Sequence, residues 1–221
     1  SFTFGTTPAP YGWSNIVPYL LGDGNKNIFI AHSDNGREFV GLSNCEVTVG
    51  HGYEYAAIRA FANNISIREY NIPEDEKNFW DNVSEGEFDA VVVDSSEDYV
   101  DTLNCFEAAY RAISSNGALL ISISKQDFIS EEFEELRNRF VSEKILESVI
   151  ELPSGKILLK VVKSSLDTCV MIDAKNLCAS KQNKEIDIDI LIKEINVAHL
   201  PEREENPIVR RLPYSDLNSS I

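Results

Sequence analysis

The residues best placed to do chemistry are Asp94, Ser95, Ser96 and Glu97, which end the apolar run in FDAVVVDSSEDY at 88–99. A buried strand that carries an aspartate to its own carboxyl end is where open α/β sheets place active sites. The same four residues also suit a capping turn, because Asp and Ser oxygens accept hydrogen bonds from the free amides of a helix starting near Asp98. His32 and His51 fall at the carboxyl ends of the two preceding apolar stretches. With Asp94 they have the makings of an acid-base or metal-binding cluster, to be weighed against solvated loop side chains. Tyr11, Trp13 and Tyr19 flank the first helical stretch as core, docking surface or partner contact.

The elements that must hold these residues are read from length and periodicity. Lys26–Ile30, Cys45–Val49, Ile65–Arg68, Phe88–Asp94, Ala118–Ser124, Leu146–Leu152 and Asp167–Asp173 are short, β-branched and apolar, and they are predicted to be strands. Glu54–Asn64 and Asp101–Ser114 carry apolar residues at helical spacing, and Ser115-Asn116-Gly117 is expected to close the second of these. Ser130 is expected to cap a helix over Phe133–Val141, with the acidic run Glu131–Glu135 on its solvated face. Strands alternating with helices of this length predict a mostly parallel sheet with helices on both faces. Residues 1–175 read as the α/β domain. Residues 176–221 read as an extension in which IDIDILIKEI, 186–195, supplies an edge strand before a tail that leads towards a further segment.

Composition limits the function. The chain has 221 residues, 43% of them hydrophobic, enough for a sizeable core. Its net charge of −16 opposes DNA binding, since Lys and Arg that displace counterions from phosphates supply most of that affinity. Cys45, Cys105, Cys169 and Cys178 are widely spaced with no CxxC pair, as in a reduced, cytoplasmic protein with neither a disulfide framework nor a metal site. No apolar run approaches the roughly 20 residues that span a bilayer, and the first residues lack a signal-peptide pattern, so a soluble chain is expected.

From Thr7-Pro8 to about Lys175, element order and local matches give the chain a family resemblance. FDAVVVD, SSNGALLISISKQDFIS and LESVIELPSG followed by DTCVMIDAKN resemble the catalytic domain of N6-adenine DNA methyltransferases, of the modification-subunit type found in type I restriction-modification systems. The Leu152-Pro153-Ser154-Gly155 turn is the most specific match. The resemblance implies a Rossmann-like, seven-stranded fold with S-adenosylmethionine at the carboxyl ends of the first strands.

It also marks departures. In NIFIAHSDNGREF, Ile30 stands where the family has an acid, and Ser33, Asp34 and Asn35 stand in the glycine-rich turn, with Gly36 retained and His32 inside the motif. After the second strand, Gly50-His51-Gly52 replaces the ribose-binding acid, and Glu54 is the nearest carboxylate. At the catalytic motif, Asp94 fits the amine-accepting position, while Ser95 and Ser96 replace the prolines and Glu97 replaces the aromatic that stacks on a flipped-out base. Tyr99 is the nearest substitute aromatic. The expectation is a catalytically degenerate methyltransferase-like domain, without cofactor, that serves as a scaffold or subunit of a restriction-modification-like assembly and meets DNA only through protein partners. Two alternatives are an active S-adenosylmethionine-dependent adenine-N6 DNA methyltransferase, and a Rossmann-like domain that binds another small ligand beside His32, His51 and Asp94.

Overall fold

The computed structural model describes residues 20–22, 26–32, 45–49, 65–69, 80–94, 100–151, 155–173 and 209–217. Its centre is one nine-stranded sheet of order β3-β2-β1-β4-β5-β7-β6-β8-β9. The strands are β1 (Lys26–His32), β2 (Cys45–Val49), β3 (Ile65–Glu69), β4 (Phe88–Asp94), β5 (Ile113–Ser124), β6 (Leu146–Glu151), β7 (Lys156–Val161), β8 (Thr168–Asp173) and β9 (Val209–Pro213). Helices α1 (Val100–Ala112), α2 (Lys125–Phe128) and α3 (Glu134–Glu143) join them among the described residues. Each of the seven strands expected between residues 26 and 173 is present.

The expected parallel majority holds, and four expectations are refined or corrected. The sheet is mixed, with five parallel pairings and three antiparallel ones. β7 returns after only four residues, too few for the crossover that a parallel neighbour needs, so it runs antiparallel to both β6 and β5. There are two further strands: β7 inserts between β5 and β6, and β9 pairs outside β8. Ser115-Asn116-Gly117 does not close α1, which ends at Ala112. It sits inside β5, where the register with β4 jumps from Phe88↔Ile113 to Ala90↔Ala118. Gly117 is needed there for close approach, since a Cβ would lie 2.7 Å from the Asp89 carbonyl oxygen. Ser130 precedes a 3-10 turn at Glu131–Phe133 and makes no side-chain cap; its hydroxyl donates to the Asp127 carbonyl instead, 2.6 Å. The helix expected at 54–64, the edge strand at 186–195, and Tyr11, Trp13 and Tyr19 lie outside the described residues.

The central strands β1, β4, β5 and β7 carry apolar residues on both sides, and both faces of the sheet are buried there. One carries Phe29, Val91, Val93, Leu119, Ile121, Val149, Leu159 and Cys169, packed under α1 and α3 through Phe106, Ala109, Leu136 and Phe140. The other carries Ile28, Ile30, Ala90, Val92, Leu120 and Leu158, each at most 1% exposed. Burying a side chain of this size stabilises by roughly 1.5–3 kcal/mol. Rigid sheet positions, rather than loops, therefore fix the ends of β1 and β4.

Candidate functional site

Strand order reverses between β1 and β4, because β2 and β3 continue on one side of β1 while β5 continues on the other side of β4. In open α/β sheets, ligands bind in the crevice outside the carboxyl ends at such a reversal. Ile30 lies in β1 opposite Val49 of β2 and Val92 of β4. The register then slips by one residue, and His32 rather than Ala31 pairs with Val93. A one-residue bulge of this kind re-aims a strand end and is common beside functional sites. Asp94 follows Val93 and closes β4, so the backbones of His32 and Asp94 meet at the reversal. Of the residues singled out from the sequence, the structure thus places the backbones of Ile30, His32 and Asp94 at the adjoining ends of β1 and β4. Asp34, Gly36, Gly52, Glu54, Ser95, Ser96 and Glu97 lie outside the described residues, as do His51 and Tyr99.

Ile30 is only 1% exposed and its strand neighbours are valines. A carboxylate in such surroundings would be desolvated and driven towards its neutral form. The position offers no group that could accept hydrogen bonds from a nucleoside or an amino acid. Asp94, by contrast, stands opposite Ser122 of β5, whose residue is 3% exposed.

Residues beyond those marked in the sequence shape the next part of the rim. Ser124 caps α2 by accepting from the Asp127 amide, 3.0 Å. Arg137 reaches back from α3 and donates from Nη1 to the carbonyls of Phe128, 2.5 Å, and Ser130, 2.6 Å. It is 8% exposed, so most of its length is buried in fixing this loop. The signal for α2 was available in Ser124-Lys125-Gln126-Asp127, which has the spacing of a capping box. Nothing in the sequence marks Arg137, because its partners are carbonyls. Lys125 and Glu151 approach to 3.5 Å across the rim, both well solvated, and such a pair contributes little.

The perturbed ionisations lie elsewhere. Burial pushes the Cys169 thiol up to about 12, which keeps it protonated as long as it stays buried, and burial likewise raises Tyr214 and, with the Glu143 carboxylate, Tyr110. Among the described residues, no three His, Cys, Asp or Glu side chains are grouped to hold a metal ion. A cavity of about 270 Å³ opens at the opposite, amino-terminal edge of the central strands, beside Lys26, Asp89 and Lys160. Its polar groups are largely spoken for. Lys160 donates to the Leu20 carbonyl, 3.0 Å, and pairs with Glu147, while Asp89 accepts from the Asn27 amide, 2.8 Å. That edge ties elements together.

No protein-family model and no curated protein sequence matches the chain. Solved structures do. The methyltransferase subunit of a type I restriction-modification system from Streptococcus thermophilus is similar over 95% of this chain, with a TM-score of 0.56 at 12% identity. The type IIG restriction endonuclease BpuSI is similar over 98% of this chain and 32% of its own, with a TM-score of 0.57 at 12% identity. A modification subunit assigned to a type I restriction enzyme of Vibrio vulnificus is similar over 95% of this chain and 55% of its own, with a TM-score of 0.55 at 9% identity. The chain spans 56% of the length of the Streptococcus subunit. At these identities the likeness shows the fold alone: this is the Rossmann-like fold of S-adenosylmethionine-dependent methyltransferases.

Proposed function

We propose that this chain is a methyltransferase-fold domain that has given up its chemistry and serves as a scaffold or subunit in a restriction-modification-like assembly. The observation that carries the reading is Ile30. By the resemblance it occupies the position of the cofactor-binding acid, and it is 1% exposed, with its backbone paired to Val49 and Val92. The residues present therefore do not fit S-adenosylmethionine at that position, and no reaction step is derived through it. The sequence adds Gly50-His51-Gly52 in place of the ribose-binding acid, and Ser95, Ser96 and Glu97 in place of the prolines and stacking aromatic. Each missing charged hydrogen bond costs roughly 1.5–3 kcal/mol. Two of them lower a micromolar affinity to roughly the millimolar range.

Isothermal calorimetry with S-adenosylmethionine tests this, with no saturable heat expected up to about 100 µM ligand. Saturable binding at micromolar concentration would overturn it. With a net charge of −16, the chain alone is expected not to shift a DNA duplex at physiological salt, and a protein partner is expected to supply that contact.

One observation favours a second reading, an active adenine-N6 methyltransferase: Asp94 closes β4 beside β1, at the reversal of strand order. Methyl incorporation into unmethylated DNA, with Asp94→Ala as control, separates the two. Incorporation that Asp94→Ala abolishes selects the enzyme.

A further inference from the structure

We propose that Val209–Leu217 is a strap that opens independently of the rest of the domain and, when closed, guards an aggregation-prone sheet edge. Among the described residues β9 pairs with the sheet on one side only, through five register pairs from Thr168↔Pro213 to Ile172↔Val209. In sequence, 35 residues separate it from β8, so the two strands do not form a short hairpin. Its grip on the core comes from Leu212, Tyr214 and Leu217, all buried, and the Tyr214 hydroxyl donates to the Leu146 carbonyl. An outermost strand that adds one backbone ladder and a few buried side chains to the core is the kind of unit that opens below the global unfolding free energy.

The two edges that the strap exchanges differ in chemistry. β8 reads TCVMID, with neither Lys, Arg nor Pro inside it. Bared, it presents unpaired amides and carbonyls on a β-branched, nearly uncharged strand, which is a template for pairing with another chain. β9 reads VRRLP; Arg210, Arg211 and Pro213 are exposed. Two cations and a residue without an N–H make the outer edge of β9 a poor template. Closing the strap replaces a sticky edge with a blunted one.

Two buried thiols report the two events separately. Cys169 sits in β8 directly opposite Leu212 of the strap, 0% exposed. Cys105 sits in α1 over β4 and β5 at the middle of the sheet, 2% exposed. The test is maleimide labelling of the unaltered chain without denaturant, quantified for each cysteine by peptide mass spectrometry. Cys169 is expected to react at least tenfold faster than Cys105, with a rate nearly independent of urea up to about 1 M. Tyr214→Ala is expected to raise the Cys169 rate a further tenfold or more without moving Cys105, and to bring on concentration-dependent association by light scattering. Equal rates at the two cysteines in the unaltered chain, or a Tyr214→Ala effect of the same size on both, would show the strap to be an inseparable part of the core and would end the proposal.

Discussion

Replacing Ile30 by Asp restores the acid that the resemblance calls for, and its effect depends on whether the end of β1 is sealed or open. Ile30 is 1% exposed, so losing its side chain gives up about 2–3 kcal/mol of apolar burial. The new carboxyl faces valines, and its folded pKa is expected to rise by about 3–5 units from its ordinary value near 3.9. At pH 7 the unfolded chain ionises and the folded one does not, which removes roughly 4 kcal/mol more. The total of about 6–7 kcal/mol is comparable with the whole stability of an average domain, about 5–15 kcal/mol. Because the folded pKa is raised, the sign is fixed: the ionisation penalty is absent below about pH 4 and grows as pH rises towards the folded pKa. Urea unfolding of Ile30→Asp and of Ile30→Asn at pH 4.5 and pH 7.5, each against the parent chain, reads the difference. Asp is expected to lose several kcal/mol between the two conditions, with Asn unchanged. If Ile30→Asp is as stable as the parent at pH 7.5, position 30 opens into solvent, and both the sealed site and the proposed function built on it fail.

Three further outcomes follow from the packing. Ser148 carries a buried hydroxyl without a hydrogen-bond partner, so Ser148→Ala is expected to stabilise by about 1 kcal/mol, raising Tm by roughly 2–4 °C in a thermal melt. Gly117→Ala would set a Cβ 2.7 Å from the Asp89 oxygen and 3.0 Å from the Ser114 nitrogen; it is expected to cost about 1–3 kcal/mol, read as a lower urea midpoint with m unchanged. The Cys169 thiol, raised from 9.0 to about 12 by burial, contributes stability that is complete below pH 9 and declines as pH rises towards 12, by about 1.4 kcal/mol per unit. Urea unfolding between pH 8 and 11 is expected to show that slope in the parent chain and a shallower one in Cys169→Ala.

Seven strands were legible because β-branched runs bounded by turn residues carry their own signature, and Phe88–Asp94 and Cys45–Val49 fall on their expected bounds. β7 was missed because KILLKV does not alternate: Ile157, Leu158 and Leu159 are all buried, one against each face in turn, so the sequence shows a plain apolar run between lysines. β9 was missed because two arginines and a proline are the opposite of a strand's usual content; only an edge tolerates them. Of the candidate site, Asp94 falls on its expected strand end, whereas β1 runs two residues past its expected end at Ile30, to His32. The bulge at Ala31 was not legible, because it depends on how β1 registers with β4, a contact between residues about 60 apart in the chain. Arg137 was hidden for the same reason that it works, since main-chain carbonyls leave no mark on a sequence.

The tight return from β6 to β7 bears on how the chain finds its fold. Four residues join Glu151 to Lys156, and Gly155 takes a φ of 87° that other residues seldom adopt. Most of the other pairings must close loops of a dozen residues or many more, β1 with β4 over about 60, and each such closure costs entropy before any contact repays it. The β6–β7 hairpin can therefore form first and offer β5 and β8 an edge on each side. The residues that join the two strands are Leu152-Pro153-Ser154-Gly155, the segment that gave the sequence its most specific likeness, so that likeness falls on the connection with the least entropy to lose on closing.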